Sequence, residues 1–206
     1  MAFDPKDVES SIVFVFKQPE VVPLNPFDLM DVGLFTRDEV RKGSMDFGPG
    51  YLLQSQKGYR FLREVNRMQL SFAREASGDF QLIMHSAKRL VETVKFSIVA
   101  MGINFMYMGA RELSTPMVDS LMSVSRVMNP MKNATPGYSC FYNDGDIMCT
   151  INILSRRIKT ESKISAVYDV SINNHIRCSE DSLLAQLERV QPLKQNFESL
   201  LGKVIK

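Results

Sequence analysis

Residues 96–108 read Phe-Ser-Ile-Val-Ala-Met-Gly-Ile-Asn-Phe-Met-Tyr-Met, a run without a single charged side chain. Its odd positions, Val99, Met101, Ile103, Phe105 and Tyr107, form one continuous apolar face, the period-two pattern of a strand. The uncharged run continues from Phe96 to Ala110, still too short to cross a hydrocarbon layer of about 30 Å as a helix, and Gly102 and Asn104 interrupt it. A related strand opens the chain over Ile12 to Lys17. There Ile12, Phe14 and Phe16 face one way and Val13 and Val15 the other, as expected of a strand buried on both faces. Working outward from these two strands, similarities recur at nearly constant distance. Ser11-Ile12-Val13 returns as Ser97-Ile98-Val99 at an offset of 86, and Pro49-Gly50-Tyr51 as Pro136-Gly137-Tyr138 at an offset of 87. The turn pair Lys57-Gly58 falls on Asp144-Gly145 at that same offset of 87. The spacing predicts an internal duplication, with residues 1–95 as a first unit and 96–206 as a second, together making one continuous structural domain.

Within the first unit, Asn25-Pro26 and the capping box Thr36-Arg37-Asp38-Glu39 predict two short helical turns. Strands follow over 51–56, 59–64 and 67–74. Phe80, Ile83, Met84, Ala87, Leu90, Val91 and Val94 then mark the stripe of an amphipathic helix. In the second unit, Ser114 or Thr115 caps a helix striped by Met117, Leu121, Val124 and Met128 and ended by Asn129-Pro130. A hairpin over 137–154 turns on Asn143-Asp144-Gly145-Asp146. A basic extension, 155–163, leads to an alternating strand over 164–172. His175 falls in the turn before a last helix carrying Leu183, Leu187, Val190, Leu193, Phe197, Leu200 and Val204, which Pro192 should kink or interrupt.

The expected fold is therefore α+β: two tandem strand-helix-(three or four antiparallel strands)-helix units related by a pseudo-twofold, with helices packed on one sheet face and the other face open. This order resembles the duplicated TATA-binding-protein architecture, in which two such units form a curved sheet saddle. The resemblance is one of topology, without that family's sequence motifs or basic balance. The four residues Gly102, Ile103, Asn104 and Phe105 are also similar to a strand pattern in a sporadically distributed bacterial family that brings no known activity with it.

Composition narrows the function classes. The chain has 206 residues, 45% of them apolar and 23% charged, so it can bury a core and lies far from the signature of disorder. A formal net charge of +2 does not by itself imply nucleic acid. The acidic and basic start, Asp4, Lys6, Asp7 and Glu9, does not resemble a secretory signal, and the expectation is a cytoplasmic protein with no membrane partner. Three cysteines without Cys-x-x-Cys spacing argue for free thiols rather than a disulfide framework or zinc site. A two-residue Asp144-Gly145 turn would set Cys140 directly opposite Cys149 as adjacent reduced thiols.

No Gly-x-Ser-x-Gly, His-Glu-x-x-His or phosphate-loop pattern is present, and His85 and His175 have no sequence neighbours that would make either a catalytic or metal-binding group. No catalytic residue, cofactor or metal is implied. The only concentrated basic stretch holds Arg156, Arg157, Lys159 and Lys163, the candidate binding residues. Beside an open sheet they could meet phosphates while Tyr59, Phe61 or Phe141 stack on bases. The expectation is a non-enzymatic interaction protein that presents its sheet to a protein partner or to itself. Nucleic-acid binding through the open face and residues 156–163 is the alternative. An enzyme or small-molecule binder with a cavity between sheet and last helix is a third.

Overall fold

The computed structural model describes residues 6–17, 27–31, 33–43, 45–47, 50–73, 80–93, 97–112, 137–159 and 164–204. Their strands are β1 (Lys6–Phe16), β2 (Met45–Phe47), β3 (Gly50–Gln54), β4 (Tyr59–Arg63), β5 (Arg67–Ala73), β6 (Ile98–Glu112), β7 (Gly137–Asp144), β8 (Ile147–Lys159) and β9 (Ile164–Arg177). The helices are α1 (Asp28–Asp31), α2 (Arg37–Gly43), α3 (Phe80–Thr93) and α4 (Leu183–Val204). All nine strands join one sheet in the order β2-β3-β4-β5-β1-β6-β9-β8-β7, and every neighbouring pair is antiparallel.

This corrects the expected fold class. In place of two tandem strand-helix-strands-helix units paired by a pseudo-twofold, with helices packed on one sheet face, a single broad antiparallel sheet organises the chain. Four strands follow β1 and three follow β6. The helix expected from Ser114 or Thr115 to Met128 lies outside the described residues. The physical reason is that alternation tells which residues share a face but not which strands exchange hydrogen bonds. The two strands with apolar residues on both faces, β1 and β6, pair with each other, setting Ile12 opposite Ile103 and Phe14 opposite Met101. Each is also flanked on its far side, β1 by β5 and β6 by β9, so neither leaves an edge.

The core lies on one side of this sheet. Ile12, Phe14, Met68, Leu70, Phe61, Leu53, Met101, Ile103, Phe105 and Ile172 are all fully buried there. Phe105 is the centre of an aromatic group, with Phe80 of α3 at 5.6 Å edge-on and Phe197 of α4 at 6.5 Å. Helix α3 presents the expected stripe, with Phe80, Ile83, Met84, Ala87 and Leu90 buried while His85 is exposed. Helix α2 forms with the anticipated capping box. The Glu39 carboxylate accepts the Thr36 N–H at 2.8 Å, and its other oxygen accepts the Gln56 N–H at 2.8 Å, tying α2 to the end of β3. Helix α4 runs through Pro192 without interruption.

A buried cation fastens α4 to the sheet. Lys194 donates to Asp7 of β1 at 2.8 Å and to Glu198 one turn along, with its ammonium 5.3–5.7 Å from the ring centres of Tyr107, Phe80 and Phe105. Burial alone would lower the Lys194 pKa, but the two carboxylates outweigh it and hold the ammonium above the ordinary lysine value.

Candidate binding surface

Because strand residues alternate, each buried position above leaves a neighbour on the opposite side of the sheet, where register assembles rows across the strands. One row runs Gln54, Arg60, Ser71, Ser11, Asn104, Asn173, Thr150 and Phe141, one residue from each strand between β3 and β7. The next runs Leu52, Leu62, Gln69, Val13, Gly102, His175, Met148 and Asn143. Uncharged amides and hydroxyls dominate the first, and apolar side chains are frequent in the second.

The polar groups are partly knit together. Asn104 donates its amide to the Ser11 hydroxyl at 3.1 Å across β6 and β1. On the outer strands, Ser139 donates to Asn152 at 2.7 Å and Asn152 to Ser171 at 3.4 Å. Over these rows lies a trough of about 540 Å³, reaching from Val13 and Val15 past Asn104 and Asn173 to Met148 and Phe141. Beside it, Met106, Leu154, Ser139 and Ser171 line a second hollow of about 400 Å³. Met106 (44% exposed), Met148 (47%), Leu154 (47%) and Phe141 (79%) all stand on this face. Such a cluster of accessible apolar side chains can bury area against a ligand, and Asp169, which also lines the second hollow, is already paired with Arg156.

The sequence-predicted site residues are not gathered here as a basic group. Residues 155–159 continue strand β8 rather than forming an extension beyond it, because they pair with β9 as far as Lys159 opposite Ile164. Arg156 spends its charge within the chain, with Nη2 2.5 Å from the Asp169 carboxylate. Arg157 sits opposite Ala166 in the ladder, and Lys163 lies outside the described residues. The proposed stacking residues divide: Tyr59 and Phe61 are buried on the helix side, whereas Phe141 is open. His175 belongs not to a turn but to β9, where it is exposed and lines the trough.

The hairpin register also differs from the expected one. Gly145 and Asp146 form the two-residue loop, so Tyr142 faces Cys149 and Cys140 faces Ile151. Gly145 takes φ +61°, and the Asp146 carboxylate is held by Gln186 at 2.6 Å and Arg189 at 3.0 Å, both from α4. The Arg189 hydrogen bond is the main reason that the Asp146 carboxyl is held below its usual range. All three cysteines are free thiols, and burial pushes Cys149 and Cys178 up to about 11. Both are therefore protonated near neutral pH and poorly nucleophilic. Among the described residues, no three His, Cys, Asp or Glu side chains are placed to hold a metal ion, and no helix is long and apolar enough to cross a membrane.

No family model matches this chain, and no curated protein matches it.

Proposed function

We propose that this is a cytoplasmic, non-enzymatic interaction protein whose uncovered sheet face receives a protein partner. The observation that carries the reading is the exposure of Met106, Met148, Leu154 and Phe141 on one side of strands whose opposite side is sealed, around a neutral trough. Nucleic acid is less well supported, since phosphate contact needs unspent cations and Arg156 is engaged by Asp169. Free thiols throughout the chain favour the cytoplasmic placement.

The test is native mass spectrometry of the protein purified at low salt from its native host, followed by binding measurements with the co-purifying species. A protein ligand whose affinity drops about tenfold or more in the double variant Met106→Asp/Met148→Asp supports the reading. Leu184→Asp, on the outer side of α4, should leave that affinity unchanged. Equal binding by the double variant refutes the reading. So does a nucleic-acid ligand whose affinity collapses between about 50 and 200 mM salt.

A further inference from the structure

Strand β7 ends the sheet order, with β8 as its only partner among the described strands. Ser139, Cys140, Phe141, Tyr142 and Asn143 are all exposed. Sheet edges are ordinarily guarded by charge, proline, a bulge or brevity. The opposite edge, β2, is three residues long and carries Asp46. By contrast, β7 has no charged residue and no proline from Gly137 to Asn143, and its register with β8 runs unbroken from Gly137 to Asp144. An edge this long and neutral is suited to pairing with another strand.

We propose that β7 pairs antiparallel with β7 of a second copy of this chain, about a twofold axis at Cys140, making one sheet across two protomers. Hairpin geometry selects the register. A two-residue loop is closed by a hydrogen-bonded pair, here Asp144 and Ile147, so Asp144, Tyr142, Cys140 and Tyr138 bond to β8. Gly137, Ser139, Phe141 and Asn143 then direct their N–H and C=O groups outward. A twofold pairing must set these outward residues against one another. Centring it on Cys140 pairs Gly137 with Asn143 and Ser139 with Phe141. That uses the whole neutral run and leaves Asp144 beyond the contact, so no like charges oppose. Phe141 adds apolar area on the trough side and Tyr142 on the other. The contact is small for a specific interface, so the dimer should dissociate at roughly micromolar concentration. It uses the sheet's edge rather than its face, and stands independently of the function proposed above.

In this register Cys140 faces its own counterpart at a non-hydrogen-bonded position. Cα atoms there lie about 4.5 Å apart, within the span of a disulfide at about 4.4–6.8 Å. The test combines sedimentation equilibrium of the reduced protein with cross-linking by diamide, whose azo bond takes up two electrons and two protons as two thiols join. The expected result is a reversible dimer that diamide locks through Cys140. Cys140→Ser, with Cys149 and Cys178 retained, should abolish the lock. Phe141→Pro removes an outward N–H that the chain's own sheet does not use, and should give a folded monomer. Phe141→Lys, at an exposed position, serves the same purpose should the proline variant not fold. Met106→Asp/Met148→Asp should leave the dimer intact, which separates a failure here from a failure of the face. A wild-type chain that stays monomeric up to about 0.2 mM, a dimer that persists in both Phe141 variants, or a lock through another cysteine overturns the proposal.

Discussion

Gly145, at φ +61°, shows how much a single position decides. A β-branched side chain is strained there, so Gly145→Val should lower unfolding stability by about 1–3 kcal/mol in a denaturant titration. Asparagine tolerates the left-handed region, and Gly145→Asn should cost clearly less. Equal losses for both would mean that the turn is held by something other than this dihedral. The same residue explains a misjudged register. The stretch Asn143-Asp144-Gly145-Asp146 offers two equivalent two-residue loops, and local chemistry does not choose between them. The choice comes from α4, whose Gln186 and Arg189 grip Asp146 from about forty residues away in sequence. Moving the loop by one residue puts Ile151, not Cys149, opposite Cys140.

Helix α4 rests on its buried lysine. Lys194→Met removes one partner of a largely buried ion cluster, a loss of about 3–5 kcal/mol when the remaining charges are fully enclosed. Glu198 is 40% exposed, so a smaller loss, roughly 2 kcal/mol, is expected from thermal or denaturant melts. Its pH dependence follows from the raised pKa: the contribution is intact below the ordinary lysine value of 10.5 and fades as pH rises through the higher folded value. The Tm gap between wild type and Lys194→Met should therefore be constant near neutrality and shrink above about pH 10.5. A gap that narrows toward acid pH alone would contradict this account of the lysine. Elements whose signal is internal were legible in advance. The stripe from Phe80 to Leu90 specifies α3, and the alternation from Ile12 to Phe16 specifies β1. Features set by a distant partner were not. Asn173-Asn174 looks like a turn, yet β6 and β8 pair with it on both sides and keep it extended, which puts His175 in a strand. The basic run after Ser155 looks like a loop until β9 pairs with it. Nor does alternation alone reveal that Tyr59 and Phe61 face the helices while Phe141 does not.

At the scale of the whole molecule, the two sides of the sheet differ: one carries the core, where Phe80 and Phe197 meet Phe105, and the other carries rows of mostly uncharged polar side chains, Arg60 among them, and accessible methionines. Pairing of β1 with β6 joins both halves of the chain into that single surface, a property that neither half's pattern announces. The 13 methionines make the asymmetry measurable, because thioether oxidation follows solvent access. Met106 and Met148 stand on the open side, whereas Met68 and Met101 are fully buried on the other. Time-resolved peroxide oxidation of the native protein, read residue by residue by peptide mass spectrometry, should show Met106 and Met148 converting to sulfoxide well ahead of Met68 and Met101. Protection of Met106 and Met148 equal to that of Met101 in the isolated chain would contradict the account, for it would mean that the sheet has no uncovered face.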